Sequence, residues 1–260
     1  FQHKIVQKVL PLLMKKDLQN LQGNKRDNKM PDDVVIREVG LRDGLQLIKT
    51  QLSTQQKLNW VARQIKAGFR EMEVTSFVSP KLLPQFSDAT EMITMSNQYE
   101  NFTPTAIVLN KKGAERAIAA GAKKITFVLS ASEKHNQSNV RCSTNESLSM
   151  FKQITKLSYS EDVEIKIAGA IATSFGCSMQ GSISENRVLE LASAMSETGA
   201  CEIILADTVG YANPTQVKSL FSRLKNYIGN LPMAAHFHDT RGMGLANVVS
   251  ALEAGVRRFD

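Results

Sequence analysis

A (β/α)₈ barrel of the α/β class is the fold that this sequence predicts, and three observations predict it. From Val34 onward, short β-branched runs alternate with longer amphipathic stretches, the pattern of a mostly parallel sheet. The alternation yields eight near-equal units in a chain of 260 residues, and about 250 residues is usual for such barrels. The competing open sheet, built for dinucleotides, would carry Gly-x-Gly-x-x-Gly after its first strand. Here that place holds Gly40-Leu41-Arg42-Asp43-Gly44-Leu45-Gln46.

The elements follow in order. Strands are expected at Val34–Gly40, Glu71–Phe77, Thr103–Leu109, Lys124–Leu129, Glu164–Ala172, Glu202–Asp207, Met233–Asp239 and Val256–Asp260. Helices are expected at Thr54–Ala67, Ser87–Gln98, Lys111–Ala120, Thr144–Leu157, Ser184–Thr198, Pro214–Ile228 and Gly244–Ala254. Glycines at Gly68, Gly121 and Gly199 close three helices just before the next strand, the usual C-terminal signal. Thr54 and Ser184 suit N-caps.

Residues 1–29 form a separate basic extension ahead of a barrel domain at 30–260. They hold Lys4, Lys8, Lys15, Lys16, Lys25, Arg26 and Lys29 against Asp17 and Asp27. Ile5, Val9, Leu12 and Leu13 would share a helix face interrupted by Pro11. The segment reads as a solvated or partly helical extension rather than a targeting remnant, which would be rich in Arg and Ser. Met30-Pro31 is a natural start for the folded part. The eighth strand ends at Asp260, so the eighth βα loop and last helix are not in this chain. A barrel could hardly close stably that way, and the natural product is expected to continue past Asp260.

Composition narrows the function classes. The formal charge is +7, but beyond the extension the basic residues are scattered and aromatics are only 6%. That argues against nucleic acid and for an anionic small substrate. Three distant cysteines, Cys142, Cys177 and Cys201, form no CxxC pair and suit a reducing compartment. No apolar run approaches the roughly 18 residues of a membrane span. Bacterial cytoplasm is preferred over a mitochondrial matrix.

Barrels of this kind gather function at the C-terminal ends of their strands. Read in order, those ends give Arg42 and Asp43, then Glu73, then Asp207, then His236, His238 and Asp239. In His236-Phe237-His238 the two imidazoles stand at i and i+2 and point the same way. The pair is either a metal site with Asp43 or a structural pair bonded to backbone. A carboxylate and two imidazoles with no thiolate suit Mg²⁺ or Mn²⁺, with Zn²⁺ also open. Glu73 at an inward position needs a partner, either Arg42 or a substrate group. Asp207 either serves the site or caps the next turn. Arg42 beside a metal would clamp a carbonyl or enolate oxygen. Ser130-Ala131-Ser132-Glu133, with Lys134 and Arg141 following, is a loop that either meets phosphates or is merely solvated. Cys177 reads as packing rather than nucleophile.

Five words carry a resemblance: Gly40–Gln46, Glu73-Val74-Thr75-Ser76-Phe77-Val78-Ser79-Pro80-Lys81, Ser130–Glu133, Asp207-Thr208-Val209-Gly210 and His236-Phe237-His238-Asp239-Thr240. In this order the chain from Val34 to Asp260 resembles the 3-hydroxy-3-methylglutaryl-CoA lyases of the metal-dependent barrel lyase superfamily. Gly44-Leu45-Gln46 and the TSFVSPK word look like the lyases rather than the Claisen-condensing synthases, which usually carry Gly-Glu-Gln. The resemblance implies a retro-Claisen cleavage of a 3-hydroxyacyl-CoA to acetyl-CoA and acetoacetate or a related keto acid. It implies Asp43, His236 and His238 as metal ligands and Arg42 at the enolate oxygen. Glu73 and Asp207 would organise the site, and His236 would also take part in proton transfer. Ser76, Ser132, Arg141 and Thr208 are candidate substrate or CoA contacts, and a homodimer is expected. The alternatives are a condensing synthase or keto-acid aldolase of the same superfamily, or a non-catalytic paralogue acting as a binding subunit.

The chain also departs from the family pattern. The family's glycine-rich loop after strand eight, with its proton-transferring cysteine and a later metal-binding asparagine, is not within these 260 residues. That implies that the chain as it stands is inactive or badly impaired. Strand five usually shows an arginine and a tyrosine two residues apart, and here those places hold Ala168 and Ala170. Cys177-Ser178-Met179 replaces Cys-Pro-Tyr, Ile204 replaces a common serine, and Leu41 a common proline. Polar groups around the acyl pocket are thus expected to become small or apolar, with a substrate substituent bulkier or less polar than methyl.

Overall fold

The computed structural model describes residues 33–158 and 165–260. The expected extension at 1–29, the start at Met30-Pro31 and the Glu164 end of strand five lie outside the described residues. Residues Val35–Asp260 form one compact unit.

Eight parallel strands run as β1 (Val35–Ile36), β2 (Glu71–Ser76), β3 (Thr103–Val108), β4 (Lys124–Ser130), β5 (Lys166–Ala172), β6 (Ile203–Asp207), β7 (Met233–Phe237) and β8 (Arg258–Phe259). Around them lie α1 (Thr54–Lys66), α2 (Ala89–Ser96), α3 (Lys111–Ala119), α4 (Glu133–Val140), α5 (Thr144–Leu157), α6 (Glu185–Glu197), α7 (Pro214–Ile228) and α8 (Gly244–Glu253). The sheet order is β1-β8-β7-β6-β5-β4-β3-β2. The seam between β1 and β2 is closed by Glu38, whose N–H donates to Glu71 O at 3.3 Å and whose carbonyl accepts from Glu73 N–H at 2.9 Å. Hydrogen bonding therefore completes the ring even though β8 is two residues long.

The expected strands shorten at the two ends of the chain. β1 is two residues rather than Val34–Gly40, because Glu38 turns its backbone to β2 and Gly40–Gly44 winds into one wide π-helical turn. β8 likewise covers Arg258–Phe259 rather than Val256–Asp260. The loop expected after β4 is instead a helix start: Ser132 Oγ accepts from His135 N–H at 3.1 Å and caps α4. The cap of α1 is Ser53, one residue before Thr54. Its hydroxyl accepts from Gln56 N–H while the Gln56 side chain accepts from Ser53 N–H, a capping box. Ser184 does precede α6, but its side chain makes no cap bond. Gly68, Gly121 and Gly199 all turn at positive φ, as their places after helices require.

Strand alternation sorts the barrel interior into layers of four contributed by alternate strands. The floor layer is charged. Lys124 Nζ lies 2.6 Å from Glu71 Oε1 and 2.7 Å from Glu202 Oε2, and Arg258 Nη1 reaches the same two carboxylates at 3.7 and 3.8 Å. The result is an alternating ring from β2, β4, the start of β6 and β8. Such a ring selects its own geometry, since losing one member strands a buried charge at a cost of about 3–5 kcal/mol. Above it the odd strands turn Ala168 and Ala234 inward, and Arg37, just after β1, reaches down to the floor carboxylates. The next even layer holds Glu73, Thr126, Ile204 and Asp260. Gly169 confirms the alternation: a Cβ there would stand 2.7 Å from Met195 of α6, so Gly169 faces the helices and its neighbours Ala168 and Ala170 face inward. Ala168, Ala170, Ile204 and Ala234 pack as one buried apolar wall.

Candidate active site

The turn Gly40–Gly44 decides where the first two polar groups go. Leu45 N–H bonds back to Gly40 O and Arg42 O, and Leu41 and Leu45 are buried. Two leucines four apart anchor one side of the turn, so Arg42 and Asp43 are left facing the mouth. A π-type turn is wider than an α-turn and recurs at functional sites. Gly40 packs closely: a Cβ there would stand 2.7 Å from Glu38 Oε1 and 3.1 Å from the Trp60 ring, which would have to give way.

Arg42 Nε donates to Glu73 Oε2 at 2.7 Å, and its Nη1 donates to Asp43 Oδ1 at 3.1 Å. Burial works against the guanidinium charge, but Glu73 and then Asp43 outweigh it and raise its pKa. Across the mouth, His236 Nε2 and His238 Nε2 are 3.0 Å apart, and His238 Nε2 lies 3.8 Å from Asp43 Oδ2. One donor atom from each of Asp43, His236 and His238 falls within a 4.8 Å cluster. Two ligands at right angles about an ion with bonds of roughly 2.1 Å stand about 3 Å apart. The donor set and its spacing therefore fit a divalent cation. Burial and the neighbouring His236 lower the pKa of His238, which favours its neutral, ligating form.

Behind His236 stands a carboxylate that the motif reading missed. Asp260 Oδ2 faces His236 Nδ1 at 3.5 Å, and Asp260 Oδ1 accepts from Arg37 Nε at 2.5 Å. Burial disfavours that carboxylate, but Arg37 and His236 hold it far below the usual carboxylate range. For His236 the balance runs against burial too, and Asp260 raises its pKa. Two charged residues inside an otherwise apolar strand, Arg37 and Glu38, were the available sequence signal.

Asp207 takes a different place. Its oxygens accept from Tyr211 N–H at 2.8 Å and Ala212 N–H at 3.0 Å. Burial raises its pKa against those two amides. It organises the loop after β6 rather than offering a free carboxylate. That loop interlocks with the one after β7: the Arg241 guanidinium lies 4.2 Å over the Tyr211 ring, and a Cβ on Gly210 (φ +68°) would meet Thr240 Oγ1 at 2.5 Å. Gly210→Ala is expected to cost about 1–3 kcal/mol, seen as a lower Tm in a thermal melt, and to lower activity by displacing Thr240 beside His238.

The remaining candidates do not converge on the cluster. Ser76 is buried and its hydroxyl donates to Ile107 O. Ser132 is buried, and its Oγ is shared between the α4 cap and Gln180 Oε1 at 3.0 Å. Thr208 Oγ1 accepts from Thr173 N–H at 2.8 Å. Arg141 is exposed at the end of α4 in a left-handed conformation. Cys177 is buried, and its Sγ accepts from Met179 N–H at 3.3 Å. Ala168, Ala170 and Ile204 form an apolar wall, and Arg37 is a buried cation of the interior. Arg37, just after β1, reaches Glu71 and Glu202 with Nη1 at 3.4 and 3.1 Å.

Comparison with known proteins matches this architecture and these motifs. The HMGL-like family model covers residues 33–260. Hydroxymethylglutaryl-CoA lyase YngG of Bacillus subtilis is 36% identical over 230 residues, 88% of this chain and 76% of the relative. A structure of an HMG-CoA lyase from Acinetobacter baumannii, in complex with coenzyme A and 3-methylmalate, superposes with a TM-score of 0.81 at 39% identity. It covers 87% of this chain and 73% of that one. The Bacillus subtilis HMG-CoA lyase structure superposes with a TM-score of 0.84 at 37% identity, covering 89% and 77%. The fold likeness to these structures spans most of this chain's ring of eight parallel strands. No helix among the described residues is long and apolar enough to cross a membrane. With the domain spanning nearly every described residue and lyases matched over most of their own length, this chain belongs to the HMGL-like family of carbon–carbon lyases.

Proposed function

We propose that the protein cleaves 3-hydroxy-3-methylglutaryl-CoA, or a close 3-alkyl analogue, to acetyl-CoA and a keto acid. Mg²⁺ or Mn²⁺ would be held by Asp43, His236 and His238. The observation that carries the reading is the convergence of those three donors beside the Arg42–Glu73 pair at the barrel mouth. A bound divalent ion would supply positive charge to the C3 oxygen and a substrate carboxylate, easing loss of the hydroxyl proton. The C3–OH proton passes to a base, in this reading His236, as the C3–O bond becomes a carbonyl and the C2–C3 electron pair passes into the thioester as an enolate. Protonation at C2 then gives acetyl-CoA. Arg42 would take the enolate charge, a role supported by Glu73 and Asp43, which fix its guanidinium in one orientation. Glu73 acts through that guanidinium. Asp207 shapes the mouth by pinning Tyr211 and Ala212. His236 serves as ligand through Nε2 and as proton carrier only in alternation, since Nδ1 is turned to Asp260.

The wall of β5 and β6 divides the expected pocket in two. Ala168 lies in the deep layer. Ala170 and Ile204, nearer the mouth, would face the C3 substituent and accept an alkyl group larger than methyl.

The test is incubation of the natural gene product with a panel of 3-hydroxy-3-alkylglutaryl-CoA thioesters, following acetyl-CoA by mass spectrometry. Cleavage is expected with Mg²⁺ or Mn²⁺, to disappear on chelation, and to return when the ion is restored. Cleavage indifferent to chelator would remove the metal assignment. No cleavage across the panel, with metal bound, would favour a condensing reaction.

A further inference from the structure

We infer that Arg37 and Asp260 form a buried positioning couple that fixes His236 with Nδ1 protonated and Nε2 presented to the mouth. The inference rests on the metal reading above but concerns groups outside the ligand set. Asp260 divides its carboxylate, Oδ1 to Arg37 Nε at 2.5 Å and Oδ2 toward His236 Nδ1 at 3.5 Å. Both side chains are almost wholly buried, at 2% and 3% exposed. Their backbones are fixed as well: Arg37 N–H donates to Phe259 O at 2.8 Å, and Asp260 N–H donates to Ala235 O at 3.1 Å. The far end of the guanidinium is held by Glu71 and Glu202, which Lys124 clamps in turn.

A carboxylate opposite Nδ1 demands a proton there, which leaves the Nε2 lone pair for a cation. Without Asp260 the neutral ring is free to place its proton on Nε2, and the lone pair then faces away from His238 and Asp43. The floor ring thereby sets the direction of a group three layers above it.

The decisive measurement is the neutral His236 tautomer, read by ¹⁵N NMR in metal-free protein above the ring's titration, followed by Mn²⁺ titration. Wild type is expected to carry its proton on Nδ1. Asp260→Asn is expected to shift the proton toward Nε2 and weaken Mn²⁺ binding about 10–100-fold. It should lower kcat far more than it raises KM. Arg37→Lys, which keeps the charge but not the fork, is expected to fall between wild type and Asp260→Asn. A wild-type ring protonated on Nε2 overturns the inference without any variant. So does a folded Asp260→Asn protein with unchanged tautomer and Mn²⁺ affinity. If wild type shows the Nδ1 proton yet binds no Mn²⁺, the metal assignment fails and the Arg37–Asp260 orientation of His236 stands.

Discussion

Arg42→Gln is expected to lower kcat for acyl-CoA cleavage by about 10²–10³-fold, or about 2.7–4 kcal/mol of transition-state stabilisation. KM should change little, because the lost interaction is made with charge that develops only as the C2–C3 bond breaks. Glutamine keeps a donor but not the charge or the fork that spans Glu73 and Asp43. Arg42→Lys is therefore expected to rescue poorly, since a point charge cannot hold both carboxylates and the substrate oxygen together. The same change leaves Glu73 without its cation in a buried place, so a lower Tm should accompany it. Steady-state kinetics with a thermal melt on the same samples separates the effects. A proportional rise in KM with kcat intact would move Arg42 from the reacting centre to ground-state binding.

Ala168→Arg is the second large effect, and it falls on stability. The residue is fully buried and faces inward in the apolar layer it shares with Ala170, Ile204 and Ala234. A guanidinium would overfill that layer, at about 1–3 kcal/mol, and bring an unpaired buried charge worth about 3–5 kcal/mol more. Against a typical net stability of 5–15 kcal/mol, a Tm drop on the order of 10 °C is expected. Moving the cation rather than adding one, with Arg37→Val and Ala168→Arg together, should recover much of the loss, because the floor carboxylates regain a partner from β5. A single Ala168→Arg variant that melts like wild type would show that this wall can open to seat a charged side chain.

The two cases show different degrees of legibility. Arg42, Asp43, His236 and His238 were visible because strand ends in a barrel converge and because HxH alternation aims two imidazoles together. Asp260 and Arg37 were not. Nothing local marks Asp260 as a partner of His236, since the two meet across the β7–β8 pair only after the ring has closed. Asp207 was legible as a strand-end carboxylate but not as the anchor of Tyr211 and Ala212, which depends on how the following loop folds back. Ser130–Glu133 looked like an open, donor-rich loop. In the structure Ser132 caps α4 and donates to Gln180, while Asn136 accepts from Ser130 N–H and donates to Ser147, so these polar groups are already spent inside the protein.

By itself, then, the sequence determined the eight-unit alternation, the helix-ending glycines, the barrel and the strand-end polar groups. Each follows from short-range periodicity and backbone sterics, which a linear reading contains. Only the tertiary structure decided that the barrel floor is a ring of alternating charge and that Arg37 links Asp260 to the floor carboxylates. It also decided which way His236 is turned. Those features depend on residues up to 223 positions apart, brought together by strand tilt and ring closure. Their energies exist only when burial makes an unpaired charge costly.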